Sequence, residues 1–388
     1  MQVRPNGLPT TITVQYGPTQ SYGSSYVMAG SPFTGLSQYP TDTLKNLAGN
    51  TTYYGRNIAS NSAGADTSDE FTFQTPPTPT SWVKRSSGFS QELRALWFTS
   101  PTTGHTTGDW YSGKTTDGGV TWSANYVGYY LFGLAFANAN TGYGAGYNGT
   151  VIKTTDAGGT WNPPQVTNIT EYLYAIATNG GDSVVAVGQS GKIIRTTNGG
   201  TTWTSPASNI TDYLYGAKFL SPTVAIAVGE GGKILRSADA GANWSTQTSN
   251  TTQGLYGVAV LNSNIAIAVG SNGTIAKTTD GGLTWATSQL NPTNYLYAVS
   301  FANTQIGVAV GDGGIVWRTT NGGTSWVREE SGTSNRLRSV WAASYTSGTV
   351  GGQYGTILST IDGPPVAPQN LTAIGGAGSI ALKWNKNT

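Results

Sequence analysis

A tryptophan returns about every 41 residues through most of this chain, at Trp82, Trp122, Trp161, Trp203, Trp244, Trp285 and Trp326. Six of the seven close a short box: TTDGGVTW (115–122), TTDAGGTW (154–161), TTNGGTTW (196–203), SADAGANW (237–244), TTDGGLTW (278–285) and TTNGGTSW (319–326). Upstream of each box the pattern is constant, as in LYAVSFANTQIGVAVGDGGIVWRTT (296–320), which reads as strand, turn, strand, Gly-rich turn, strand. The segment after the tryptophan adds a fourth strand. Four-stranded units stacked radially make a β-propeller, and seven copies fall within the roughly 4 to 8 blades that such rings use. The expected fold class is therefore all-β, a seven-bladed propeller over residues 78–363. Its closure is also legible, because the last copy stops at Ser359-Thr360-Ile361-Asp362-Gly363 without a Thr-Trp, while Ser81-Trp82-Val83-Lys84 opens the first copy with no box before it. The early strand should complete the last blade.

The box resembles the Asp-box (BNR-type) repeat, S/T-x-D-x-G-x-T-W, of bacterial sialidases, some glycoside hydrolases, sortilin-type receptors and the photosystem II assembly factor family of propellers. The resemblance covers roughly residues 82–362. It implies a structural role for Asp117, Asp156, Asn198, Asp239, Asp280 and Asn321, and the chemistry agrees. A carboxylate can accept backbone N–H bonds inside a tight turn, glycines permit positive φ, and tryptophan adds a large buried plate. Asn198 and Asn321 keep the acceptor without the charge, which fits hydrogen bonding and speaks against a catalytic acid. The assembly-factor propellers are the most similar in repeat form and blade count, and the resemblance implies a polypeptide partner.

In an antiparallel blade successive turns alternate between the two faces, so the start of the first strand and the second-to-third turn share the face opposite the boxes. There a repeated leucine (Leu93, Leu131, Leu173, Leu214, Leu255, Leu296, Leu337) is flanked by aromatic residues: Tyr130 and Phe132, Tyr172 and Tyr174, Tyr213 and Tyr215, Tyr256, Tyr295 and Tyr297. Two readings stand side by side: filling of the blade-to-blade core, or an aromatic mouth that stacks a sugar or peptide. Glu92 and Arg94 in the first copy and Arg336 and Arg338 in the seventh replace the tyrosines, and ring closure makes them neighbours. They form a recognition patch or a salt-bridge cluster at the closure. Tyr130, Tyr172, Tyr213, Tyr295, Glu92, Arg94, Arg336 and Arg338 are the binding candidates. A basic residue precedes each box (Lys114, Lys153, Arg195, Arg236, Lys277, Arg318), expected to be solvated or packed on tryptophan faces.

Catalysis has little material. With no cysteine, thiolate chemistry and a disulfide framework are excluded, and with one histidine, His105, a His-rich metal site or a His-based relay has almost no material. No metal or cofactor is expected. Sialidases pair the box with an arginine triad and a nucleophilic tyrosine in a six-bladed ring, a set this chain lacks. Glu171 and Asp212, at matching loop positions in NITEYLY and NITDYLY, are the one weak carboxylate pair for a glycoside hydrolase. The expectation is no enzyme. A net charge of +2 leaves no footprint for nucleic acid, and no apolar run is long enough to span a membrane.

Residues 1–77 read as strands, and Leu47, Thr51, Tyr53, Arg56, Ala59, Asn61 and Gly64 resemble the latter half of a fibronectin type III domain, with Tyr53 as the tyrosine corner. Residues 364–388 resemble the first two strands of such a domain, with Trp384 in its core. Each half would expose an apolar stripe and open edges, so Leu371, Ile380, Leu382 and Trp384 are candidate subunit-interface residues. The tail of one copy would complete the head of another, giving a head-to-tail homopolymer. The alternatives are closure within one chain and a piece cut from a longer array. No signal peptide is visible, yet abundant Thr, Ser, Asn and Gly with few charges resemble bacterial surface proteins. The expected role is an extracellular or cell-surface scaffold, bacterial or archaeal. The alternative is a glycan- or peptide-binding module.

Overall fold

A computed structural model describes residues 5, 8–34, 44, 47, 52–74, 82–165, 167–290, 294–344, 347–360, 372–376 and 379–383. The chain falls into two compact units, Met1–Thr78 with Gly363–Thr388, and Pro79–Asp362.

In the first unit Thr11–Gly17 pairs with Ser24–Val27 on one side and Thr52–Asn61 on the other, and Thr52–Asn61 also carries Gly64–Thr67 and Phe71–Gln74. The period-2 alternation expected of a half-buried strand puts Ile12 and Val14 inside. Tyr53 is buried and stacks on Phe73 with ring centroids 5.5 Å apart. Thr372–Gly376 and Ser379–Lys383 form a two-stranded antiparallel sheet, which holds Ile380 and Leu382. Leu371 and Trp384 lie outside the described residues. A fibronectin-type sandwich is not shown, because among the described residues these two strands pair only with each other.

The second unit is the ring. Its innermost strands are Leu93–Phe98, the latter half of Ser123–Phe136, Leu173–Thr178, Leu214–Phe219, Leu255–Val260, Leu296–Phe301 and Leu337–Ala342. Each lies against the next, and Leu337–Ala342 lies against Leu93–Phe98, so seven sheets close a circle. Blades 1 to 7 are numbered in that order. The outer strand of blade 7 is Trp82–Arg85, antiparallel to Ile357–Thr360 with Trp82 opposite Thr360. Second strands such as Val184–Gly188, Ala225–Gly229 and Ala266–Gly270 are buried at every residue, because a blade between two others has no solvent face. That is why they read VVAVG and AIAVG rather than as alternating strands. In blade 1 the second and third strands are one segment, Gly104–Thr115, folded back at Trp110 so that Gly113 sits against Thr106.

Every innermost strand carries a β-bulge directly after its leucine: Leu173 faces Gly188, while Val187 faces Ala175, leaving Tyr174 without a partner. The same shift occurs after Leu93, Leu214, Leu255, Leu296 and Leu337. The seven leucines are buried between blades. A bulge twists its strand and re-aims the extra side chain. Here it frees the residue after each leucine for the mouth of the ring.

Each Asp box lies at the opposite end, against the first-to-second turn of its own blade: Gly118 N–H donates to Thr102 O, Gly199 to Asp182 O and Gly281 to Asn264 O. Asp117 shows what the box does. Its carboxylate accepts the Thr121 N–H at 3.0 Å, the Val120 N–H at 3.0 Å and the hydroxyls of Thr115 (2.7 Å) and Thr121. Asn198 and Asn321 accept the matching backbone N–H from Thr202 and Ser325 and turn their amide donors toward those residues' hydroxyls. The acceptor, not the charge, is the shared requirement. Hydrogen bonds outweigh desolvation in Asp117, and those from Thr160, Asn243 and Thr284 dominate in Asp156, Asp239 and Asp280. All four carboxyls sit at about 2.

Five of the six basic residues before the boxes are neither free nor merely stacked. Lys153 Nζ donates to Gly199 O at 2.7 Å, Arg195 Nε to Ala240 O at 2.7 Å, Arg236 Nε to Gly281 O at 2.8 Å and Lys277 Nζ to Gly322 O at 2.7 Å. Each acceptor belongs to the box of the following blade, so the cations fasten blade to blade. Blade 7 has no box, and Arg318 of blade 6 instead pairs with Glu329, which also accepts the indole N–H of Trp82 at 2.9 Å. This replaces the expectation of solvated or tryptophan-packed cations, although Arg318 does lie over the Trp82 ring.

Candidate binding face of the propeller

Because the bulge recurs, the residues after the leucines, Arg94, Phe132, Tyr174, Tyr215, Tyr256, Tyr297 and Arg338, meet in a closed circuit. Ring centroids are 5.6 Å apart for Phe132 and Tyr174, 5.5 Å for Tyr174 and Tyr215, 5.2 Å for Tyr215 and Tyr256, and 5.4 Å for Tyr256 and Tyr297. The Arg338 guanidinium lies 4.3 Å over Tyr297 and that of Arg94 5.1 Å over Phe132. Glu92 joins the two ends, 2.9 Å from Arg338 and 3.0 Å from Arg94. Burial, with the Glu230 carboxylate beside Tyr215 and that of Asp312 beside Tyr297, pushes both phenols up to about 12, so they stay neutral donors.

The residues before the leucines form a second tier: Glu92, Tyr130, Tyr172, Tyr213, Gly254, Tyr295 and Arg336. Tyr172, Tyr213 and Tyr295 each contact the circuit residue of their own blade, with centroids 6.3 to 6.5 Å apart. All eight residues singled out in the sequence therefore lie on one face. Glu92, Arg94 and Arg338 belong to a single cluster with Asp109, and Arg336 is held by Asp312 at 2.7 Å.

Sequence reasoning missed the turn residues that carry the second hydrogen-bonding layer. Asp109, Tyr147, Gln189, Glu230, Ser271 and Asp312 occupy one repeat position, between the second and third strands. From there Asp312 accepts the Tyr297 hydroxyl at 3.0 Å, Asp109 the Arg94 Nε–H at 3.1 Å, and Ser271 meets the Tyr256 hydroxyl at 3.1 Å. The signal available in the sequence is the variable residue after each second-strand glycine, polar or aromatic in every one of these blades.

The channel beneath the circuit is blocked toward the box end. Trp97 of blade 1 and Trp341 of blade 7, with centroids 6.1 Å apart, meet Lys218 of blade 4, whose Nζ sits 4.5 Å over Trp97. The other blades put Ala135, Ala177, Ala259 and Ser300 at this position. Burial holds the Lys218 amine down at about 8. The three side chains close the passage between this face and the box end.

Glu171 and Asp212, the carboxylate pair weighed from sequence, are each turned to a lysine of their own blade, Lys192 at 3.1 Å and Lys233 at 3.8 Å. Among the described residues no three His, Asp or Glu side chains gather as a metal site would require.

Two overlapping segments, 126–264 and 237–363, match the family model described as photosynthesis system II assembly factor YCF48. Together they span more than half the chain. The chain belongs to this family. Among solved structures, YCF48 bound to D1 peptide is 18% identical with a TM-score of 0.61, covering 73% of this chain and 95% of that one. YCF48 from Cyanidioschyzon merolae is also 18% identical, at a TM-score of 0.60 over 72% of this chain and 98% of that one. The WD40 repeats of RRP9 reach a TM-score of 0.61 at 8% identity, over 72% and 98%. Likeness at these identities is likeness of fold. No curated protein matches the chain.

Proposed function

We propose that the protein is a non-catalytic, peptide-binding propeller whose ligand lies across the circuit of Arg94, Phe132, Tyr174, Tyr215, Tyr256, Tyr297 and Arg338. The observation that carries the reading is the closed circuit itself. Five aromatic and two guanidinium groups surround a blocked channel, with phenol hydroxyls and carboxylates behind them, which offers flat apolar contact together with donors and acceptors for a main chain. Membership of the YCF48 family, one of whose structures holds a D1 peptide, supports a polypeptide ligand over a glycan.

A peptide array probed with the full chain tests it. Tyr215→Ala with Arg338→Ala should weaken captured peptides at least tenfold while leaving the circular dichroism spectrum unchanged. Capture that is indifferent to both substitutions, or a response from a glycan array alone, would refute the reading. A cell-surface location and strand exchange between terminal segments are further proposals that rest on composition and on the two fibronectin-like halves. Sedimentation with and without residues 364–388 tests the exchange.

A further inference from the structure

The mouth is not uniform, and its departures from the repeat fall into two arcs. Through blades 6, 7 and 1 it carries charge, but Arg336 is paired with Asp312, Arg338 with Glu92, and Arg94 with Glu92 and Asp109. Through blades 1 to 3 runs a chain of aromatic rings in contact, three of them exposed, with the Lys192–Glu171 pair beside Tyr172. Trp110 lies 4.6 Å from Tyr130, Tyr130 lies 6.3 Å from Tyr147, and Tyr147 lies 4.4 Å from Tyr172, with tilted planes throughout. Tyr147 is 42% and Trp110 39% exposed.

Backbone conformation sets two of the seven blades apart. The second residue of each turn between second and third strands has positive φ, and the other blades meet it with Asn148, Ser190, Gly231, Asn272, Gly313 and Tyr354. Blade 1 puts Trp110 there, at φ 69°. A bulky side chain in the left-handed region is strained, and the two that adopt it here, Trp110 and Tyr354, are both exposed. Trp110 is not buried in the core; it contributes a ring to the open surface.

Tilted, uncharged aromatic rings carrying phenol and indole donors are the chemistry that receives polyproline II segments. Such a helix has no internal hydrogen bonds, little conformational freedom to lose, and carbonyls turned outward. This chain contains two uncharged segments of that kind, Pro76-Pro77-Thr78-Pro79 and Pro364-Pro365-Val366-Ala367-Pro368, flanking the ring. Pro79 is three residues from Trp82 and Pro364 four from Thr360 in the sequence, and those two ring residues are paired at the box end of blade 7, too short a tether for either segment to reach its own mouth. The occupant that fits is therefore supplied by another molecule.

We propose that the groove formed by Trp110, Tyr130, Tyr147 and Tyr172 binds the Pro364–Pro368 segment of a second copy of this chain. The inference rests on the mouth being a peptide-binding face. It makes the contact heterologous, linker of one copy to mouth of the next, and such contacts extend into open arrays unless they close a ring.

The test is a fluorescein-labelled peptide of residues 363–369 (GPPVAPQ), titrated with the full-length chain and read by polarisation. Its Pro365→Ala, Pro368→Ala form and a set of charged, proline-free peptides run alongside. Saturable binding that falls at least tenfold with Tyr147→Ser, with Trp110→Ala, and with the proline-substituted peptide is the expected result. Tyr147→Ser changes an exposed side chain, so it reports even if Trp110→Ala perturbs the turn. Sedimentation of the full chain should show mass rising with concentration, and excess free peptide should suppress that rise. Binding unaffected by either substitution, or no binding at millimolar peptide, overturns the proposal. Capture of charged, proline-free peptides without GPPVAPQ would overturn this inference alone, whereas silence from every peptide would overturn the peptide-binding reading with it.

Discussion

His105 is the chain's only histidine, and it sits where the equivalent residues of blades 3, 4 and 5 are Val185, Ile226 and Ile267. It is 2% exposed, stacked on Phe136 at 4.2 Å, packed against Gly158 in the box of blade 2, and its Nε2 has no hydrogen-bond partner. Burial, with the Lys114 ammonium nearby, lowers its pKa from 6.5 to about 4. The folded ring therefore prefers the neutral imidazole. Below pH 6.5 the unfolded chain takes up a proton that the folded chain refuses until about 4, so stability is full above 6.5 and declines as pH falls through that window. At about 1.4 kcal/mol per pH unit the gap corresponds to roughly 3 kcal/mol in total, and about 2 kcal/mol is already lost by pH 5. The box carboxyls, at about 2 when folded, lose their contribution only as pH falls below the ordinary aspartate value, so they do not obscure pH 5 to 7. Urea unfolding followed by tryptophan fluorescence at pH 7 and pH 5 measures the effect. The wild-type midpoint should drop, and His105→Ile should hold its midpoint across the same interval. Equal midpoints for the wild type at both pH values, or an equal drop in His105→Ile, would refute the burial argument.

Glu329→Leu leaves the 4%-exposed Arg318 without its carboxylate and removes the acceptor of the Trp82 indole, so the unfolding free energy should fall by about 3 kcal/mol or more, partly recovered by adding Arg318→Met. Lys218 carries a charge at pH 7 that burial opposes, and because its folded value near 8 lies below 10.5, the stability it withholds returns only as pH rises from 8 toward 10.5. Lys218→Met should raise stability at pH 7 by about 1–3 kcal/mol in chemical denaturation, with the loss of its contact over Trp97 setting the lower figure. Asp280→Asn should unfold close to the wild-type midpoint and Asp280→Ala clearly below it, because Asn198 and Asn321 already fill the same role; equal losses for both would show that the charge matters.

The tryptophan period and the box gave away the ring, its closing strand and the box as a self-satisfied turn, because each is a local pattern repeated and repetition makes local chemistry readable. The bulge after each leucine was not readable. Leu173-Tyr174-Ala175 alternates like any strand, and only pairing with Val187 and Gly188 shows that one residue is extra. The direction of the cations before the boxes was hidden for a related reason. Lys153 and Gly199 are partners 46 positions apart, one repeat and a few residues, and a repeat seen singly shows every blade its own box rather than its neighbour's. Lys218, Trp97 and Trp341 are more distant still, and occupy one strand position in blades that face each other only after the circle closes.

Symmetry separates framework from recognition. Residues that recur in nearly every copy, namely the leucines, the box acceptors and five of the six cations before the boxes, find their partners within the ring. The residues that break the repeat concentrate at the mouth and in the channel beneath it. Glu92, Arg94, Arg336 and Arg338 interrupt the tyrosines, Gly254 leaves a gap in their outer tier, Trp110 occupies a backbone position that suits glycine and asparagine, and Lys218 with two tryptophans blocks the passage below. A seven-fold ring maintained only for its own stability gains nothing from such exceptions, and Lys218 and Trp110 each cost it something. Their gathering at one end supports the proposed reading of that face as a peptide site, and an asymmetric mouth on a symmetric ring would give an extended peptide unequal surroundings at its two ends.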